Sequence, residues 1–100
     1  MSSLSTKGVR IITIGRDAGN LIALKDDVSF YTSRYHCCIE VHPAPGWIIR
    51  DGQWHEHNRQ WIESCNGTFV NSTQVSQTGY ILESGDIVSI GDIKMRFEIN

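Results

Sequence analysis

Short apolar segments, none longer than a few residues, follow one another along this chain and are cut by turn-forming residues at almost every junction. The first run, residues 9–14, holds Val9, Ile11, Ile12 and Ile14 and is closed by Gly15 and the turn residues Asp17-Ala18-Gly19-Asn20. Branching at Cβ suits a pleated surface better than a helix, so this run predicts a strand. Residues 21–24 predict a short strand and 28–31 a brief extended piece. Residues 37–42 alternate, with Ile39 and Val41 on one face. Pro43 and Pro45 cannot sit in a regular ladder, so 43–46 is expected to turn. Trp47-Ile48-Ile49 begins the next strand, and Asp51-Gly52 carries a hairpin-turn signal.

Trp54 and Trp61-Ile62 flank a polar stretch, the pattern of a strand, a solvated loop and a returning strand, with a short helical turn as the weaker alternative. Further strands are expected at 68–70, 74–75, 80–82, 87–90 and 93–99. Asn66-Gly67, Asn71-Ser72, Ser84-Gly85-Asp86 and Gly91-Asp92 supply the turns between them. No segment sustains a helical period. About eleven short strands with turn residues at their junctions predict an all-β sandwich. It is expected to form one domain over residues 9–100, after a flexible Ser-rich tail at 1–8.

Composition narrows the function classes. The chain has 100 residues, 40% of them hydrophobic, with net charge −2 and a pI near 6.0. There is no basic stripe of the kind that follows a phosphate backbone, so nucleic acid is not an expected partner. No apolar run is long enough to cross a membrane as a helix, and the polar start lacks the apolar stretch of a secretory leader. Three cysteines are an odd number, and the neighbours Cys37 and Cys38 are poorly placed to pair with each other. Reduced thiols in a cytoplasmic protein are the expectation. A chain that stops so close to a strand pattern suggests either a very compact protein or one module of a larger multidomain protein.

The candidate chemistry sits in three loop motifs far apart in sequence. They are Gly15-Arg16, Ser33-Arg34-Tyr35-His36, and Asn66-Gly67-Thr68-Phe69-Val70-Asn71. Together they offer guanidinium groups, a hydroxyl, a carboxamide and turn amides, all donors for a compact anion such as phosphate. No carboxylate lies within the motifs to orient His36 as a base, so His36 is expected to pin its loop rather than to catalyse. Cys65, beside the third motif, has no visible base with an orienting partner, which argues against a nucleophile. His36, His42, His55 and His57 with three cysteines lack zinc-site spacing, although His55 and His57 would share a face if both lay on a strand. No metal or cofactor is expected. Trp47, Trp54 and Trp61 are expected to pack in the core or the hairpin rather than to hold a flat ligand.

These motifs, in this order and with Leu82-Glu83-Ser84-Gly85-Asp86-Ile87-Val88-Ser89-Ile90-Gly91 as a fourth, resemble the forkhead-associated (FHA) family of phosphothreonine-binding modules. The handling of phosphorylated motifs by arginine clusters in that family is a known recognition mode. The resemblance implies a β-sandwich with binding loops at one end, no enzymatic activity, and a threonine-phosphorylated protein or peptide as partner. It implies phosphate contacts from Arg16, Ser33 and Arg34, with Cys65 at the same pocket and Asn66 on the peptide backbone. Gly15, His36, Gly67, Thr68 and Asn71 would support loop shape. Two departures stand out. Cys65 occupies a position where Ser or Thr is common, and the 52–63 segment is longer than usual. A sandwich of the same fold that binds a protein without phosphate is the alternative.

Overall fold

The computed structural model describes residues 10–24, 32–42 and 46–98. The expected tail at 1–8 and extended piece at 28–31 lie outside them, as does most of the 43–46 turn. Eleven strands are present among the described residues and no helix. A five-stranded sheet has the order β2-β1-β3-β4-β9, built from β1 (Arg10–Gly15), β2 (Ile22–Ala23), β3 (Cys37–Val41), β4 (Trp47–Asp51) and β9 (Tyr80–Ile81). A four-stranded sheet has the order β11-β10-β7-β8, from β7 (Thr68–Val70), β8 (Thr73–Val75), β10 (Ile87–Ile90) and β11 (Ile93–Arg96). β5 (Gln53–His55) and β6 (Gln60–Ile62) form a separate two-stranded sheet.

The core lies between the two larger sheets. Ile14, Cys37, Ile39 and Ile49 from the first meet Val70, Val75, Val88 and Ile90 from the second, with Leu82 among them. Each fully buried aliphatic side chain of this size contributes about 1.5–3 kcal/mol. Trp47 packs on this cluster and meets Phe97 edge to face, with centroids 5.3 Å apart. Gln53, a polar residue inside, has its amide nitrogen fully engaged. The Gln53 amide donates to the carbonyls of Ile14 (3.2 Å) and Cys37 (2.9 Å) and to Asn20 Oδ1 (2.9 Å).

Two sequence expectations are corrected. Asp51-Gly52 is not a hairpin turn, because β4 pairs with β3 and β9 while β5 pairs with β6. Gly52 is instead a buried corner, with φ 86°, at which the chain leaves the large sheet. Its N–H donates to the His36 carbonyl at 2.8 Å, and a Cβ would collide with the carbonyl of Ile62. His57 lies in the turn between β5 and β6, so it does not share a strand face with His55. Trp54 is a hairpin aromatic, placed opposite Trp61 in the β5–β6 register and 54% exposed, with its indole N–H tied to Glu56 Oε1 at 3.0 Å.

Candidate functional site

Antiparallel pairing of β1 with β3, in which Ile14 faces Cys37, puts the end of one strand beside the start of the other. The loop after Gly15 and the loop before Cys37 therefore meet at one end of the sandwich. Two backbone bonds lock them, from Arg16 N–H to the Ser33 carbonyl and from Asp17 N–H to the Arg34 carbonyl, both 3.1 Å. Gly15 is required by this closeness, since a Cβ there would strike the Arg34 carbonyl. Asn20 adds a third tie. Its amide donates to the carbonyls of Asp17 and Arg34, each at 2.8 Å, from a buried position.

His36 joins these loops to the third motif. The ring is fully buried. Its Nδ1 accepts the Ser33 N–H at 3.0 Å, so the proton resides on Nε2, which donates to the Gly67 carbonyl at 2.7 Å. Burial pushes the His36 pKa below its ordinary value, against the opposing pull of the Gly67 carbonyl and of Asp51. A neutral imidazole suits this bridge, which needs one acceptor and one donor.

On that frame the polar groups converge. Arg16 is exposed, and its Nε donates to the Thr32 carbonyl at 2.8 Å, which fixes the plane of the guanidinium and leaves the Nη donors at its outer end. The Ser33 hydroxyl oxygen accepts the backbone N–H of Cys65 at 3.0 Å. With that lone pair engaged, its own proton is directed elsewhere. Arg34, Cys65 and Asn66 are exposed on the same loops. Tyr35 hydrogen-bonds Asp17, and that bond raises the phenol's pKa.

The third loop rests on Asp51. This buried carboxylate accepts from Ser64 N–H (3.1 Å), the Ser64 hydroxyl (2.6 Å) and the Thr68 hydroxyl (2.7 Å). Ser64 Oγ in turn accepts the Gly67 N–H at 2.8 Å. Gly67 has φ 90°, a conformation costly for other residues. Asn71, at φ 50°, ties the β7–β8 turn to the loop before β10: its Nδ2 donates to Asp86 Oδ1 at 2.8 Å and its Oδ1 accepts Ile87 N–H at 3.0 Å. Gly15, His36, Gly67 and Thr68 thus lie in the buried framework, Asn71 braces two turns from an exposed position, and Arg16, Arg34, Cys65 and Asn66 also lie at the surface. Ser33, half-buried, stands between the two groups.

Asp51, Ser64, Asn20 and Gln53 escaped the sequence reading. Asp before Gly reads as turn chemistry, and nothing in a single sequence marks a serine or an amide as the partner of a distant loop. The long 52–63 segment forms the β5–β6 hairpin and stands against the site. His55 meets Tyr35 edge to face at 5.1 Å, and the Trp61 indole N–H donates to the Asp51 carbonyl at 2.9 Å.

Fold and site together define a β-sandwich domain with its candidate recognition loops gathered at one end. The family model of the FHA domain matches residues 12–91, and the chain belongs to that family. Vacuolar protein sorting-associated protein 64 of Saccharomyces cerevisiae is 40% identical over 68 residues, which are 66% of this chain and 10% of that protein. The chain therefore corresponds to a small part of that relative. Among solved structures, the FHA-2 domain of the Mycobacterium tuberculosis ABC transporter Rv1747 is 34% identical with a TM-score of 0.61, over 87% of this chain and 66% of that one. The N-terminal FHA domain of S. cerevisiae Rad53p, solved with a phosphothreonine peptide, shares the fold at 20% identity and a TM-score of 0.66, over 91% of this chain and 68% of that one.

Proposed function

We propose that this domain docks extended, threonine-phosphorylated segments of partner proteins through its loop end and is not an enzyme. The observation that carries the reading is the convergence of an Arg16 guanidinium oriented by Thr32 with a Ser33 hydroxyl whose lone pair is taken by Cys65 N–H. Both present donors outward, as a phosphate dianion requires, and charge-assisted bonds of this type are the strong ones. Arg34 adds a second cation, and Asn66 offers a donor and an acceptor to peptide main chain. Membership of the FHA family and the phosphothreonine peptide bound by Rad53p support the same reading. Three free cysteines fit a reducing, cytoplasmic setting. The share of the yeast relative that is matched fits one module of a longer protein.

Calorimetry on one peptide with and without its threonine phosphate tests the proposal. Binding of the phosphorylated form alone is expected. Equal affinities would defeat it and favour a sandwich that holds its partner without phosphate.

A further inference from the structure

A cleft of about 540 Å³ adjoins the third loop and is lined by Cys65 and Asn66 together with Glu63, Gln74 and Ser76, with Asp51 and Ser64 also in its lining. Arg16, Ser33 and Arg34 do not line it. Cys65 and Asn66 therefore form a ridge between the cationic loops and this cleft. A peptide whose phosphate lies at Arg16 and whose main chain passes Asn66 would bring a neighbouring side chain over the cleft, since an extended chain advances about 3.3 Å per residue.

The lining says what that side chain is. It is polar, with Val75 its one purely aliphatic member and that residue 4% exposed, so a large apolar group would find little to cover. It holds two carboxylates and no Lys, Arg or His. Asp51 is already satisfied by three hydrogen bonds. Glu63 is exposed and has no ion pair among the described residues. The loop end is thus cationic on the Arg16 and Arg34 side of the ridge and anionic on the Glu63 side.

We infer that this cleft selects a lysine or arginine flanking the phosphothreonine, with Glu63 as the specificity-determining residue. The inference rests on the phosphopeptide reading above and adds the sequence class of the ligand. A Lys or Arg side chain is long enough to reach across this polar cleft and set its charged head against the Glu63 carboxylate near water. Ser64, Gln74 and Ser76 offer further acceptors to the remaining N–H groups. Because Glu63 is solvated, the preference is modest, about two- to fivefold over alanine, and shrinks with added salt.

The test uses alanine-rich phosphothreonine peptides carrying Arg, Ala or Glu at each flanking position in turn, measured by anisotropy at low salt. At one position Arg should bind more tightly than Ala, and Glu more weakly. Glu63→Gln should erase that ranking and Glu63→Lys should invert it, with phosphate dependence kept in both variants. Retained phosphate dependence with no Arg preference at any position, or a preference that survives Glu63→Gln, overturns this inference alone. Loss of phosphate dependence in the unaltered protein overturns the phosphopeptide reading and this inference with it.

Discussion

Ser33 and Cys65, on different loops, are joined by a 3.0 Å hydrogen bond from the Cys65 backbone N–H to the Ser33 hydroxyl oxygen. The bond occupies one lone pair of the serine, leaves the hydroxyl proton available to donate, and makes the Cys65 loop depend on the serine. Ser33→Ala removes both. A lost bond to a charged acceptor is worth about 1.5–3 kcal/mol, so phosphopeptide affinity should fall roughly tenfold to a hundredfold in calorimetry. Cys65→Thr keeps the backbone bond and adds a hydroxyl donor at the same loop. It should tighten binding, and unchanged affinity would remove residue 65 from the phosphate site.

Arg16 is held by its Nε, the atom that lysine lacks. Arg16→Lys should therefore recover only part of the affinity lost in Arg16→Ala, because a point charge on a flexible stem replaces an oriented fork. Full recovery would mean that charge alone matters and that the Thr32 contact is incidental.

Asp51 joins the hairpin corner to the third motif through Ser64 and Thr68. Asp51→Ala strands three donors in a buried place and should lower stability by about 3 kcal/mol or more in urea denaturation. Peptide binding should weaken further than stability loss explains, since the Asn66-Gly67 loop loses its footing.

Acid should loosen the same framework. Burial holds the His36 pKa below that of a free histidine, so the unfolded chain takes up a proton that the folded one resists. The sign follows: this contribution is intact above about pH 6.5 and is lost as pH falls from there through the folded-state value. Thermal midpoints should drop across that interval. A midpoint that stays flat between pH 7 and 5 would contradict a buried neutral His36.

The three thiols should separate cleanly. Cys37 and Cys38 are buried, and burial raises both pKa values, that of Cys38 to about 11, whereas Cys65 is exposed. Native protein should label rapidly at one thiol and at all three after unfolding, as read by mass spectrometry.

Most of the strand pattern was legible because apolar alternation and turn residues are local signals. β10 and β7 lie where Ile87 to Ile90 and Thr68 to Val70 announce them. The surface donors of the candidate site were legible for a similar reason: Arg16, Ser33 and Asn66 sit in short motifs with fixed neighbours. The supporting shell was not. Asp51 works through Ser64 and Thr68, and Asn20 through the Arg34 carbonyl, and these partners become neighbours only once the chain has folded. The corner at Gly52 looked like a turn because a positive-φ glycine serves both uses; only strand pairing tells them apart.

Gln53 opens the hairpin, yet its amide is shared among two strand carbonyls and Asn20 inside the sandwich. Root and tip of the hairpin therefore face different structural constraints. Residues 56–59 and Trp54 are exposed and free to be rewritten as partners change, whereas the first residue is bound into the fold. Variation among descendants of this domain should accumulate toward the tip and stop abruptly at Gln53, giving the lineage a place to acquire new partners without remaking its core.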